Sequence, residues 1–209
     1  MVHVRSGMLR TCVLLTDPTE GGTMGVMTAM PRTGEEWTVD DLDLLPDDGL
    51  QYELLDGLLL VTPAPVVQHQ RVIGTLYVLL RTACPAGFEV LFAPVDWRPD
   101  RRTSLQPDLL VIRNEDAGIK NVTAPLMLAV EVLSPSTRRK DQVLKRSKYE
   151  DAGVQAYWIV DPSEPSVLAL ELENGVYATA ADVHGSERAA LRSPFPAEIV
   201  PADLVRPAP

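Results

Sequence analysis

Two apolar runs that each carry one carboxylate constrain the fold of this chain more than any other feature. They are residues 106–112 (QPDLLVI) and 128–133 (LAVEVL), and their carboxylates are Asp108 and Glu131. Such runs are typical of strands that are buried on both faces of a sheet. An ionised carboxylate in a buried strand is unfavourable unless a cation or hydrogen bonds compensate it. One divalent cation could serve both strands; backbone groups or arginines that satisfy each carboxylate separately are the alternative.

The remaining hydrophobic patterns predict a mixed α/β or α+β sheet flanked by α-helices. Residues 52–61 predict a hairpin, since Asp56-Gly57 is a strong turn signal between apolar runs. Thr38, followed three residues later by Asp41, predicts the capped start of a short helix. Longer helices are expected over residues 66–83 and 138–152. Further strands are expected over residues 88–92, 95–98, 155–160, 167–173 and 176–180.

The 209 residues suit one domain of ordinary size with a real hydrophobic core. We expect this domain to span residues 35–200. Residues 1–34 have no hydrophobic periodicity, so we expect a disordered N-terminal extension. Residues 201–209 form a Pro-rich tail, and the chain from Pro194 onward is expected to lie over the surface.

Composition narrows the cellular context and the class of partner. The net charge of −10 argues against a generally basic nucleic-acid binder, although a nuclease needs only a local basic patch. No apolar run approaches the roughly 20 residues of a membrane span, so no membrane partner is expected. Cys12 and Cys84 lack metal-ligand spacing and suit a cytoplasmic protein with unpaired thiols.

A local basic patch does exist in the second half of the chain. Residues 134–150 contain six Lys and Arg residues against two Asp and Glu residues. These cations could hold the phosphates of a nucleic-acid backbone. A solvated helix face is the alternative. The candidates for backbone binding are Arg138, Arg139, Lys140 and Lys148.

The same predicted helix carries a polar stripe. Asp141, Lys145 and Tyr149 follow one another at intervals of four residues, so they lie on one helix face. This stripe could point at the two carboxylate strands, with Glu53 of the hairpin nearby; a surface ion-pair ladder is the alternative. Carboxylates bind Mg²⁺ or Mn²⁺, which polarises phosphoryl oxygens and activates a bound water, and a lysine can stabilise the developing charge. Such a set suits phosphodiester hydrolysis.

Several short motifs in this order resemble the Uma-two family. The resemblance spans about residues 38 to 200 and implies the PD-(D/E)XK restriction-endonuclease-like fold and endonuclease activity. The segment from Glu131 to Ser136, with the later run Tyr157 to Asp161, is its most specific part. The motifs are residues 52–57 (YELLDG), 68–70 (QHQ), 106–108 (QPD), 130–136 (VEVLSPS) and 157–161 (YWIVD).

The resemblance implies roles for particular residues. Asp108 and Glu131 match the two acidic metal ligands, the resemblance gives the backbone carbonyl of Val132 as a further ligand, and Glu53 matches an upstream acidic residue that often joins the site. The plain motif has a lysine two residues after the glutamate, where this chain has Leu133. In the family the lysine has moved to the following helix, and Lys145 occupies that place.

Two further residues are possible accessory groups. Tyr149 follows Lys145 as in the family pattern, although a half-buried tyrosine that packs the helix is an equal alternative. His69 lies near the start of a predicted helix, where a packing or capping role competes with a role in substrate binding or proton transfer.

Together these observations predict a metal-dependent endonuclease that hydrolyses DNA phosphodiester bonds through a metal-activated water. No covalent enzyme intermediate is expected. By analogy with restriction enzymes of this fold, we expect a homodimer. One alternative is a catalytically inactive nuclease-fold module that binds nucleic acid or protein, which the net charge and Leu133 favour. A metal-dependent hydrolase of a small phosphorylated substrate is the other, and it fits an acidic surface better than long DNA does.

Overall fold

The computed structural model of this chain describes residues 28–30, 36–46, 48–62, 64–134 and 141–206. Most of the N-terminal extension that the sequence predicts to be disordered lies outside these residues. The basic residues Arg138, Arg139 and Lys140 lie outside them as well. The boundaries predicted for the domain therefore stay predictions.

The described residues form one long helix, three short helices and many strands. The strands are β1 (Thr28–Met30), β2 (Gln51–Leu55), β3 (Leu58–Thr62), β4 (Phe88–Phe92), β5 (Asp96–Asp100), β6 (Thr103–Leu105), β7 (Leu109–Arg113), β8 (Asn121–Val122), β9 (Leu128–Val132), β10 (Ala156–Asp161), β11 (Ser166–Glu173), β12 (Val176–His184), β13 (Ala189–Leu191) and β14 (Ala197–Ile199). The α-helices are α1 (Val39–Leu42), α2 (Val67–Ala83), α3 (Arg146–Asp151) and α4 (Pro201–Leu204). A 3₁₀ turn (Asn114–Asp116) and a π-helical turn (Asp141–Lys145) complete the set.

Six of these strands form a central mixed sheet in the order β12-β11-β10-β9-β7-β4. β9 and β10 are parallel, and the other neighbours are antiparallel. The predicted carboxylate strands, β7 and β9, are therefore direct neighbours. Leu109 lies opposite Val130, and the register continues through Leu110 and Ala129.

A second sheet has the strand order β1-β3-β2-β6-β5-β8. Its β2–β3 hairpin confirms the predicted turn, because Asp56 and Gly57 have φ angles of 49° and 82°. Positive φ at both central residues is the geometry that suits the twist of a tight hairpin. A side chain at position 57 would also collide with Glu36, since an added Cβ would lie 2.9 Å from its Cβ.

One face of the central sheet packs against α2. Val72, Leu76 and Leu80 lie on one side of this helix and belong to the same buried hydrophobic cluster as Val111 and Val130. The spacing of these helical residues is the predicted amphipathic pattern. The helix also contacts α4 near the C-terminus.

The opposite face of the central sheet packs against the second sheet and α3. Leu110 and Ile112 of β7 point into this layer, where they join Leu55, Trp97 and Tyr149. The alternation along β7 and β9 therefore fills two cores, one on each side of the sheet. This arrangement confirms the predicted fold class, a mixed α+β architecture with a sheet flanked by helices.

The predicted cap of the first helix is present. The backbone N–H of Thr38 donates to Asp41 Oδ2 at 3.1 Å, and the backbone N–H of Asp41 donates to Thr38 Oγ1 at 3.4 Å. This reciprocal pair is a capping box, which satisfies two backbone donors that a helix start leaves without intrahelical partners.

The C-terminal segment differs from the sequence-based expectation. β14 pairs with β13, and Phe195, Ile199 and Leu204 are buried in the core beside α2. The expectation that the chain from Pro194 onward lies over the surface is therefore wrong, as is the description of residues 201–204 as part of a tail. The apolar side chains between the prolines pack against the core beside α2. Proline does not prevent this, because it is well accommodated at the first position of a helix.

Two other elements also differ. β1 lies within the predicted disordered extension, yet Thr28–Met30 pair with Met30 opposite Leu59 on β3. Without β1, β3 would be an edge strand with unpaired backbone N–H and C=O groups, and another segment of the chain can pair with such an edge. The helix expected over residues 138–152 is, in its described part, the π-helical turn Asp141–Lys145 followed by α3.

None of the described helices is long and apolar enough to cross a membrane. Cys84 is a half-buried free thiol, and Cys12 lies outside the described residues.

The packing of α2 against the central sheet predicts different losses of stability for two variants of this helix. Leu76 is fully buried, whereas Val78 of the same helix is 64% exposed. We expect Leu76→Ala to lower the free energy of unfolding by about 2–5 kcal/mol, because it leaves a cavity. Val78→Ala should change it by less than about 0.5 kcal/mol. Urea unfolding followed by circular dichroism measures both; equal losses would contradict the described packing of α2.

Candidate active site

Three charged side chains from separate elements meet in the interior. Glu53 comes from β2, Glu131 from β9, and Lys145 from the end of the π-helical turn. The Lys145 ammonium donates to Glu53 Oε1 at 3.0 Å and to Glu131 Oε1 at 3.1 Å. All three residues are nearly inaccessible, with 5%, 4% and 5% of their surface exposed. We call this set the Glu–Lys–Glu cluster. It brings together three of the four residues predicted to be catalytic.

The local sequence explains how Lys145 reaches the interior. Lys145 and Tyr149 are buried, whereas Val143 and Leu144 are exposed, as the predicted stripe requires. The π-helical turn ends at Lys145, and α3 begins directly after it. Single π turns within helices occur frequently at functional sites. From this position the long side chain of Lys145 reaches Glu53 of the second sheet and Glu131 of the central sheet.

Tyr149 holds the cluster from the helix side. Its hydroxyl donates to Glu131 Oε1 at 2.7 Å. Burial, and then the charge of Glu131, raise the pKa of the Tyr149 hydroxyl well above its ordinary value. The phenol therefore stays protonated and remains a hydrogen-bond donor. Its ring also contacts the rings of Trp97 and Tyr157, with centroids 5.4 and 5.0 Å away.

Asp108 lies directly before β7, at the end of the sheet that carries Glu131. The β7–β9 register ends with Leu109 opposite Val130, so Asp108 and Glu131 are the next residues beyond this pair. Asp108 Oδ2 accepts a hydrogen bond of 2.7 Å from the backbone N–H of Val132, the residue after Glu131. The fourth predicted catalytic residue therefore lies at the same end of β9 as Glu131, where its described contacts are with Val132 and His69.

His69 lies in the first turn of α2 and reaches the same end of β9. Its Nε2 atom lies 3.0 Å from the carbonyl oxygen of Val132 and 3.2 Å from Asp108 Oδ2. His69 is 9% exposed. The sequence left a packing role and a functional role open for this residue. The structure places its ring against the two oxygens of Asp108 and Val132 that the resemblance implies as metal ligands.

Three supporting residues were missed by sequence reasoning. The backbone N–H of Gln106 donates to Glu53 Oε1 at 2.8 Å, and its side-chain amide donates to Asp96 Oδ1 at 2.8 Å. Asp96 in turn pairs with Arg98 at 2.7 Å. Gln106 belongs to the QPD motif, so its position gave a signal. Asp96 gave none, because its contact with Gln106 depends on the pairing between β5 and β6, and Arg98 is connected to Gln106 through Asp96.

Other predicted residues have different surroundings. Lys148 Nζ pairs with Asp56 at 2.7 Å and with Asp100 at 2.8 Å, and its side chain is 13% exposed. Leu133, where the plain motif has lysine, is buried in the core between the central sheet and the second sheet. The side chain of Asp141 and all of Arg138, Arg139 and Lys140 lie outside what the structure describes.

The charges and donor atoms of the site suit a divalent cation. Glu53, Asp108 and Glu131 supply three carboxylates, and Lys145 supplies one ammonium. With neutral His69, this set has a charge of −2, which one divalent cation would balance. Carboxylate and carbonyl oxygens are the ligands that Mg²⁺ and Mn²⁺ prefer. Across the described ranges, however, no three His, Cys, Asp or Glu side chains are already arranged around one metal position.

Comparisons with known proteins agree with this architecture. Residues 39–204 match the Uma2 (Uma-two) family, which is described as "Putative restriction endonuclease". A solved structure from Anabaena variabilis, described as "a putative nuclease", has a similar fold, with a TM-score of 0.65. It is 16% identical to this chain, and the match covers 81% of this chain and 97% of that one. A search of curated proteins found no match. Because the family match spans most of the sequence, this protein belongs to the Uma2 restriction-endonuclease-like family.

Proposed function

We propose that this protein is a metal-dependent endonuclease that hydrolyses DNA phosphodiester bonds. The observation that carries the proposal is the Glu–Lys–Glu cluster, together with Asp108, which is bonded to the residue after Glu131. A buried lysine between two glutamates, with a third carboxylate at the same sheet end, is an arrangement that structural stability alone does not require. Membership in a family described as restriction endonucleases supports a nuclease function in general.

Asp108, Glu131, Glu53 and the Val132 carbonyl would hold Mg²⁺ or Mn²⁺. A divalent cation there would polarise the phosphoryl oxygens and lower the pKa of a coordinated water. The backbone N–H of Val132 donates to Asp108 Oδ2, which supports this role because it holds the carboxylate at this end of β9. The side chains that hold the cation come from the central sheet and the second sheet, so both sheets are needed for the site.

Lys145 supplies a positive charge that is held in place before substrate arrives. Its two carboxylate contacts fix the ammonium, and Tyr149 fixes one of those carboxylates. A preorganised cation of this kind stabilises the negative charge that develops on the phosphoryl oxygens in the transition state. No side chain is needed as a covalent nucleophile in this scheme, because water is the attacking group.

The DNA backbone would lie against the basic segment before and within α3. We propose that Arg138, Arg139, Lys140 and Lys148 contact its phosphates. Lys148 would exchange its carboxylate partners, Asp56 and Asp100, for phosphate oxygens. We also propose a homodimer, since two sites related by a two-fold axis could reach both strands of a duplex.

Replacing Lys145 tests the catalytic part of the proposal. We expect Lys145→Met to reduce nicking of supercoiled plasmid in Mn²⁺ by at least about 100-fold, since loss of one preorganised donor typically has that effect. Lys120→Met, at an exposed position, is the matched control and should cut at the wild-type rate.

Lys145→Arg is a second variant for the case in which Lys145→Met does not fold. It keeps the buried positive charge and moves the donor atoms. We expect it to remain folded by circular dichroism and to nick DNA at least tenfold more slowly than the wild type. Wild-type rates for both Lys145 variants would contradict the role of the ammonium. A wild-type protein that binds Mn²⁺ but never nicks DNA would instead support the inactive binding module.

The metal site predicts a second set of results. Isothermal titration calorimetry should show Mn²⁺ binding by the wild type, and Asp108→Asn and Glu131→Gln should each weaken it by at least about tenfold. Both changes keep the shape of the side chain and remove its charge, which is what attracts the cation. Glu89→Gln, on the exposed face of the edge strand β4, is the control and should bind normally. Equal heats for all four proteins would contradict the metal site.

A further inference from the structure

We propose that the imidazole of His69 is a nitrogen ligand of the cation, and that the site therefore prefers Mn²⁺ and later transition metals to Mg²⁺. The inference rests on the proposed function, because it adds a residue to the same metal site. It assigns His69 a direct contact with the cation in place of a packing role.

The distances around His69 fit this assignment. Nε2 lies 3.0 Å from the Val132 carbonyl oxygen and 3.2 Å from Asp108 Oδ2. In an octahedral site with ligands at about 2.1 Å, two adjacent ligand atoms are about 3.0 Å apart. Both separations are therefore those of neighbouring ligands around one ion. A cation bound by Nε2 could therefore have either oxygen as an adjacent ligand at close to the present separations.

The chemistry of the three atoms points the same way. The Val132 carbonyl and the Asp108 carboxylate are both acceptors, so without a cation the neutral ring carries its proton on Nε2. With a cation bound, the Nε2 lone pair faces the metal and the ring proton lies on Nδ1. Imidazole suits Mn²⁺, Co²⁺ and Zn²⁺ better than it suits Mg²⁺, which favours oxygen ligands.

The fold also holds His69 rigidly enough to act as a ligand. It lies in the first turn of α2, three and four residues before Val72 and Ile73, which are buried in the core. The neighbouring Gln68 donates to the carbonyl oxygen of Pro162, directly after β10. This end of α2 is therefore anchored to the central sheet on both sides of the imidazole. Preorganised ligands of this kind lower the entropy lost on metal binding.

A purely structural His69 would make the same contacts in the absence of metal. It would donate to Val132 or Asp108 and fix the position of α2 on the sheet. The two roles differ in one respect, since only a ligand places an imidazole nitrogen within bonding distance of the ion. A measurement of metal–nitrogen coupling therefore separates them.

Electron spin echo envelope modulation on the full chain loaded with Mn²⁺ provides this measurement. We expect ¹⁴N modulation in the wild type, a change of pattern after labelling the histidines with ¹⁵N, and loss of the modulation in His69→Ala. His184→Ala is the matched control, because His184 is exposed on β12 beside Asp182, and it should keep the modulation. In competition experiments, His69→Ala should lower the preference for Mn²⁺ over Mg²⁺ by at least about tenfold.

The outcomes separate this inference from the proposed function. Mn²⁺ that binds without ¹⁴N modulation, or modulation that persists in His69→Ala, would overturn the role of His69 and leave the oxygen-ligated site standing. A wild-type protein that binds no Mn²⁺ would overturn both. If His69→Ala does not fold, the labelled wild-type protein still decides, since the absence of imidazole coupling there refutes the assignment.

Discussion

The buried ammonium of Lys145 between Glu53 and Glu131 is the interaction on which the rest of the site depends. Removing charged groups from water costs several kcal/mol each, so such a cluster persists only with close contacts and further hydrogen bonds. Here the ammonium contacts both carboxylates, and Tyr149 and the Gln106 backbone amide donate to the same carboxylate oxygens. Because Glu53 belongs to the second sheet and Glu131 to the central sheet, the cluster also ties the two sheets together.

Much of this arrangement could be predicted because its signals are local. The β2–β3 turn follows from Asp56 and Gly57, which tolerate positive φ, and the first helix start follows from its capping residues. The carboxylates of the two buried strands stood out because charged groups are rare in such runs. Lys145 was placed by the resemblance and by its four-residue spacing from Tyr149. In the structure Lys145 and Tyr149 both contact Glu131, while the chemical roles of these residues stay predictions.

What could not be predicted depends on contacts that are distant in sequence. His69 meets Val132 across 63 positions, and a histidine in a helix's first turn gives no local sign of such a partner. The C-terminal segment was misassigned because prolines suggest an irregular tail, whereas the burial of Phe195 and Ile199 depends on a surface that other elements build. Propensity is a weak guide wherever tertiary packing decides the outcome. The contact between Asp96 and Gln106 could not be predicted for the same reason, because it depends on the pairing of β5 with β6.

We propose that Asp108, directly before β7, and Glu131 of β9 share one cation, with Lys145 alongside. A crystal soaked in Mn²⁺, with data collected at the manganese absorption edge, tests it most directly. We expect one anomalous peak within about 2.5 Å of oxygens from both Asp108 and Glu131, with the Lys145 ammonium close by. A peak elsewhere, or ordered Asp108 and Glu131 carboxylates with no peak at saturating Mn²⁺, would contradict it.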